Sequence, residues 1–112
     1  MTTPKTARDQ NRGPRPTVVC LCGSNRFLHE MAEVSRTLTP AGRVVLAPIA
    51  FEDPLSRVQR AALGELHLRK IDLADEVLVI NPNKYIGEST RREITYAESH
   101  GKPVSYLSEV SQ

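Results

Sequence analysis

Four short apolar runs, separated by stretches whose apolar residues recur at helical spacing, constrain this chain more than any other feature. "TVVCLC" (residues 17–22) and "EVLVI" (76–80) are nearly continuous in apolar character, without the polar alternation of a strand that is wet on one side. Such runs belong to strands covered on both faces, which is the condition of a parallel sheet flanked by helices. "RVVLAP" (43–48) and "PVSYL" (103–107) supply two more. Between the first two runs, Phe27, Met31, Val34 and Leu38 predict a helix from Asn25 or Arg26 that Pro40 and Gly42 stop. A second helix is predicted from about Ser56 to Leu73, with Ala62, Leu63, Leu66 and Leu73 on its inner face. A third follows "NPNKYIGES", with Ser89 as its cap. The expected fold is α/β, a small Rossmann-like three-layer sandwich on a four- or five-stranded parallel sheet with right-handed crossovers.

At 112 residues the chain closes one modest core. Fifteen basic and 13 acidic side chains leave a formal net charge of +2, which gives no general pull toward nucleic acid. The basic excess is concentrated in residues 1–16, where Lys5, Arg8, Arg12 and Arg15 outweigh Asp9 and there is little apolar to bury. That segment is expected to be a disordered tail, with a phosphate-binding arm as the alternative, leaving 17–112 as the folded domain. No stretch approaches the roughly 20 apolar residues of a membrane span, and the N-terminus lacks the apolar centre of a signal peptide, so a cytoplasmic protein is expected. Cys20 and Cys22 point to the same side of a strand, too far apart for ordinary disulfide geometry. Buried free thiols are the expectation, in preference to a metal site made from them and a histidine.

Ligands of open parallel sheets bind beyond the carboxyl ends of the strands. That rule selects three loops: residues 23–26, 48–57 and 81–90. In the first, Gly23 permits close backbone approach, Ser24 offers a hydroxyl, and Arg26 brings a planar cation to a helix start. The same residues also make an ordinary capped turn with a solvated arginine. The loop is neither a Walker loop nor the three-glycine dinucleotide fingerprint, which argues against ATP and NAD. In the third, Gly87, Ser89 and Thr90 lead into a helix that carries Glu93 one turn further on the side of Thr90. An ionised, positioned carboxylate is what a glycosidic nucleophile must be, although an acidic residue near a helix start is also common. Phe51 and Tyr85 lie in the second and third loops, where a ring either stacks on a base or, more commonly, packs under the loop. Glu88 either assists Glu93 or favours the helix dipole, while Asp72 reads as solvated and Asp75 either ends a helix or faces the pocket.

The Gly-Ser-x-Arg turn, the Ala-Asp of "LADEVLVI" and the Thr-x-x-Glu-x-x-Tyr-Ala-x-x-x-Gly-Lys-Pro stretch resemble, in this order and spacing, the nucleoside 2-deoxyribosyltransferase superfamily. The first turn looks more like its 2'-deoxynucleoside 5'-phosphate N-hydrolase branch, and the likeness covers roughly residues 17–107. It implies an enzyme in which Glu93 attacks C1' of a nucleoside or nucleoside 5'-monophosphate and forms a glycosyl-enzyme. Ser24 and Arg26 would hold the 5'-phosphate. No metal or organic cofactor is implied, and a homodimer or larger homo-oligomer is, joined through the helices that follow the first and third loops. Two positions depart from the family pattern. His67 stands eight residues before Asp75, where an aspartate usually protonates the leaving base, and Cys20 stands where a tyrosine steadies the glutamate. His67 is a candidate for the acid, since its ordinary pKa lies near neutrality. The alternative is a nucleotide-binding or regulatory module of the same fold that has lost turnover.

Overall fold

The computed structural model describes residues 15–108. The elements run β1 (Val18–Gly23), α1 (Leu28–Leu38), β2 (Val44–Leu46), α2 (Arg57–Leu73), β3 (Glu76–Ile80), α3 (Glu88–Ser99) and β4 (Val104–Tyr106). All strand pairings are parallel and the order across the sheet is β2-β1-β3-β4. The two most apolar runs thus occupy the centre, where both faces are covered. Strand parity splits the core in two. Cys20, Cys22, Val77 and Val79 pack against Ile71 and Ala74 at the end of α2 and Ile94 and Ala97 of α3. Val19, Leu21 and Ile80 pack on the other side against Met31 of α1. The result is the expected three-layer α/β sandwich with four strands. Among the described residues no helix is long and apolar enough to cross a membrane.

Three local expectations need correction. The tail assigned to residues 1–16 falls mostly outside the described residues, but its end is part of the fold: the Arg15 guanidinium pairs with the Asp75 carboxylate, which also accepts a 2.8 Å bond from the Val18 amide. Asp75 therefore ties the start of β1 to the end of α2, at the opposite end of the sheet from the loops singled out above.

Helix α2 turns a different face inward from the one predicted. His67 and Ile71 are buried, whereas Ala62 is exposed, and Leu66 and Leu73 remain 53% and 71% exposed. Its apolar residues are spread around the helix, so burial of His67, Ile71 and Ala74, at spacings of four and three, decides the face. Its start is well specified, since the Ser56 hydroxyl accepts from the Gln59 amide at 3.1 Å and the Gln59 side chain accepts from the Ser56 amide at 2.9 Å.

Helix α3 begins at Glu88 with Gly87 as its cap, so Ser89 lies inside the first turn and caps nothing. Its other end explains the Gly-Lys-Pro stretch. Gly101, at φ +73°, reverses the chain in the left-handed region. Lys102 then donates to the terminal carbonyls of α2, at Asp72 (3.2 Å) and Ala74 (2.8 Å), before Pro103 opens β4.

Candidate functional site

The chain moves outward from β1 to β2 and returns to the other side of β1 for β3, so adjacent loops diverge at the carboxyl ends of β1 and β3. Gly23 pairs with Ile80 there. A side chain at Gly23 would meet the Ile80 carbonyl at 2.8 Å and the Met31 methyl at 2.9 Å, so glycine lets the strand end and its loop lie close against α1. Above this point opens a cleft of about 640 Å³. Gly23 and Ser24 form one wall, Phe51 and the start of α2 another, and Gly87, Ser89, Thr90 and Glu93 a third, with His67 also in the lining. A more open groove of about 810 Å³ runs between the outer sides of α2 and α3 and meets the cleft at Glu88, Ser89, Arg92 and Glu93. The cleft holds the convergent polar groups and sits at the switch in strand order, which makes it the better candidate.

Arg26 is the exception among the predicted residues. Ser24 caps a short 3-10 turn, its hydroxyl accepting from the Arg26 amide at 3.2 Å. The Arg26 guanidinium lies over the Tyr85 ring at 4.1 Å, and Phe27 meets the same ring edge-on at 5.9 Å. Arg26 thus braces the third loop against the first and is outside the cleft lining. Basic groups at the cleft come instead from Arg57, Arg60, Lys70 and Arg92. Lys70 is held by the Ala47 carbonyl (2.9 Å) and Arg60 by that of Leu55 (2.9 Å).

Thr90 and Glu93 sit three residues apart on α3, one turn along the same side. The Thr90 hydroxyl oxygen and Glu93 Oε1 are both buried without a hydrogen-bond partner. Glu93 Oε1 stands 3.8 Å from His67 Nε2, with the two side chains only 17% and 8% exposed. Behind them lie the sulfurs: Cys22 Sγ is 3.4 Å and Cys20 Sγ 3.7 Å from the same His67 nitrogen. Both cysteines are free and fully buried.

Each group alters the others. Burial pushes the Glu93 carboxyl above the ordinary carboxylate range, against the opposing pull of His67 and Cys22. Burial by itself would lower His67, but its hydrogen bond with Cys20 and the negative charge of Cys20 and Glu93 raise it. The hydrogen bond from Cys22, aided by His67 and Lys70, brings Cys20 down to about 6, while Cys22 is driven up by its bond to Cys20 and by burial.

Reading the residues in order placed Cys20 and Cys22 on one side of β1 but gave no reason to set His67 against them. The i, i+4 series Leu63, His67, Ile71 would have identified the inner stripe of α2, had the histidine been counted with the apolar residues. Asn81, fully buried, was also missed. Its side chain exchanges two bonds with the Ser108 backbone (3.0 and 2.8 Å) and holds the chain beyond β4 beside the end of β3. Comparison with family models and with curated proteins gave no match.

Proposed function

We propose that the chain cleaves N-glycosidic bonds of nucleosides or, preferably, nucleoside 5'-monophosphates, with Glu93 as nucleophile. The observation that carries this reading is the pair of buried, unpartnered oxygens of Thr90 and Glu93 in the lining of the cleft. Buried polar atoms are nearly always paired, so two orphans in one cleft point to a polar ligand that pairs with them. The volume suits a nucleotide. The resemblance of the Thr-x-x-Glu stretch to the deoxyribosyltransferase superfamily supplies the reaction type.

In this reading the sugar lies between Glu93 and the Gly23–Ser24 turn, with a hydroxyl on Thr90. A Glu93 carboxylate oxygen attacks C1', and the C–N bond breaks with its electron pair leaving on the base. The departing base takes up a proton, for which His67, beside Glu93, is the candidate source. Water or a second base then attacks C1' of the ester and releases the carboxylate. The base is left to Phe51 and Tyr85, and a 5'-phosphate to Ser24 and the arginines of α2.

Pure protein mixed with nucleoside monophosphates and followed by chromatography for free base tests the proposal. Release that requires Glu93 supports it. Tight binding without release supports a nucleotide-binding module, and neither binding nor release ends both readings.

A further inference from the structure

Two thiols and a carboxylate converge on one nitrogen of His67. A neutral imidazole nitrogen has either one proton or one lone pair to offer, so it can satisfy only one of these neighbours. Cys20, Cys22 and Glu93 are all within 3.8 Å of it, and Glu93 Oε1 is left without a hydrogen bond. As a hydrogen-bonding network the cluster is overcommitted. As a coordination shell it is complete.

We infer that Cys20, Cys22 and His67 hold a single thiophilic divalent cation, with zinc the best match, and that Glu93 Oε1 stands at its fourth position. The three ligand atoms lie within 4.8 Å of one another, which no other trio of such groups does among the described residues. A tetrahedral zinc bonds sulfur at about 2.3 Å and nitrogen at about 2.0 Å, which sets each sulfur roughly 3.5 Å from the nitrogen. The two observed separations, 3.4 and 3.7 Å, bracket that value. Two thiolates and an imidazole select zinc over magnesium or calcium, which prefer oxygen. The i, i+2 spacing on β1 aims both sulfurs at one point, and α2 supplies the third ligand from the layer above. His67 and Glu93 line the cleft, so an ion has a path in. Uptake displaces the thiol protons to solvent, leaving two thiolates on the metal.

The inference does not depend on the proposed glycosidic reaction. The metal site and that reaction share Glu93 and the His67 nitrogen, so a molecule with the ion bound would not have its nucleophile free.

The test uses full-length protein, reduced and stripped by a chelator, then titrated with zinc or with cobalt(II) as a coloured probe. Expected are one ion per chain, a rise in melting temperature, protection of both thiols from alkylation, and the thiolate-to-metal charge-transfer and intense visible bands of tetrahedral cobalt. Cys22→Ser and His67→Gln, checked for folding by circular dichroism, should each weaken uptake by at least the roughly 10- to 100-fold typical of losing an outer-shell partner. Should a serine variant fail to fold, thiol protection and the cobalt spectrum of the wild type still decide the matter. Absence of uptake by folded, reduced wild-type protein, or uptake unchanged in a folded variant, overturns the inference. Neither result depends on whether nucleotides are cleaved.

Discussion

Thr90 carries a hydroxyl that costs stability as the molecule stands. A buried oxygen without a partner forfeits its hydration, a penalty of roughly 1–3 kcal/mol. Valine has nearly the shape of threonine and no such oxygen. Thr90→Val should therefore raise stability by about 1 kcal/mol in urea melts while weakening nucleoside binding. A loss of stability would show that the hydroxyl has a partner within the fold. Glu93 follows the same logic with a charge added. Glu93→Gln keeps the shape but removes the attacking carboxylate, so release of base should fall on the order of 10³-fold or more, with the melting temperature held or raised. Activity within a few-fold of wild type would rule out Glu93 as nucleophile. The two positions that break the motif pattern the sequence otherwise resembles, Cys20 and His67, prove to be neighbours at 3.7 Å. The cluster they form is the one to which a metal is assigned above.

At the scale of elements, the Arg15–Asp75 pair offers a test of how the first strand is secured. The Arg15 hydrogen bonds, and then the bond from the Val18 amide, hold the Asp75 carboxyl below its ordinary value near 3.9. A carboxylate so depressed contributes stability that is present above its unfolded pKa and lost as pH falls through the folded one. Arg15→Ala should thus cost under about 1 kcal/mol at pH 7, because the pair is more than a third exposed on average, and the cost should vanish below the carboxylate range. Equal differences in melting temperature at neutral and acid pH would refute this. The strands themselves were legible because complete burial writes itself as an unbroken apolar run, and the bounds of β3 were read to the residue. The three loops followed from strand direction alone. What could not be read was the rotation of α2 about its axis. Its apolar residues permit more than one inner face, and only the packing of Ile71 and Ala74 against β1 and β3 turns His67 toward the sulfurs. Arg26 illustrates the same limit, since its charge was evident but its seat on Tyr85 depends on where the third loop folds.

At the scale of the whole molecule, the first half of α2 is largely uncovered. Val58 is 78% exposed, Leu66 lies two turns further along the same helix, and Ile49 and Phe51 are exposed on the loop that precedes it. Apolar residues gathered on one exposed helix and its loop are a signature of association, whereas scattered ones need no explanation. For the homodimer expected from the sequence we propose α2 and residues 48–57 as the contact surface, in place of the helices after the first and third loops. Since Phe51 and the start of α2 also form a wall of the cleft, a second copy docked there would roof the site that one chain leaves open. Leu66→Asp separates this from a fold effect. Leu66 has little to lose in the single chain, so the substitution should change monomer stability by no more than about 0.5 kcal/mol. A charge in an apolar interface is costly, so the same change should split the dimer. Light scattering across a concentration series should give twice the chain mass for wild type and the single mass for Leu66→Asp, with matching circular dichroism. A wild type that remains monomeric at the highest concentration, or a Leu66→Asp variant that stays dimeric, would remove α2 as the interface and leave the cleft to be completed by the ligand alone.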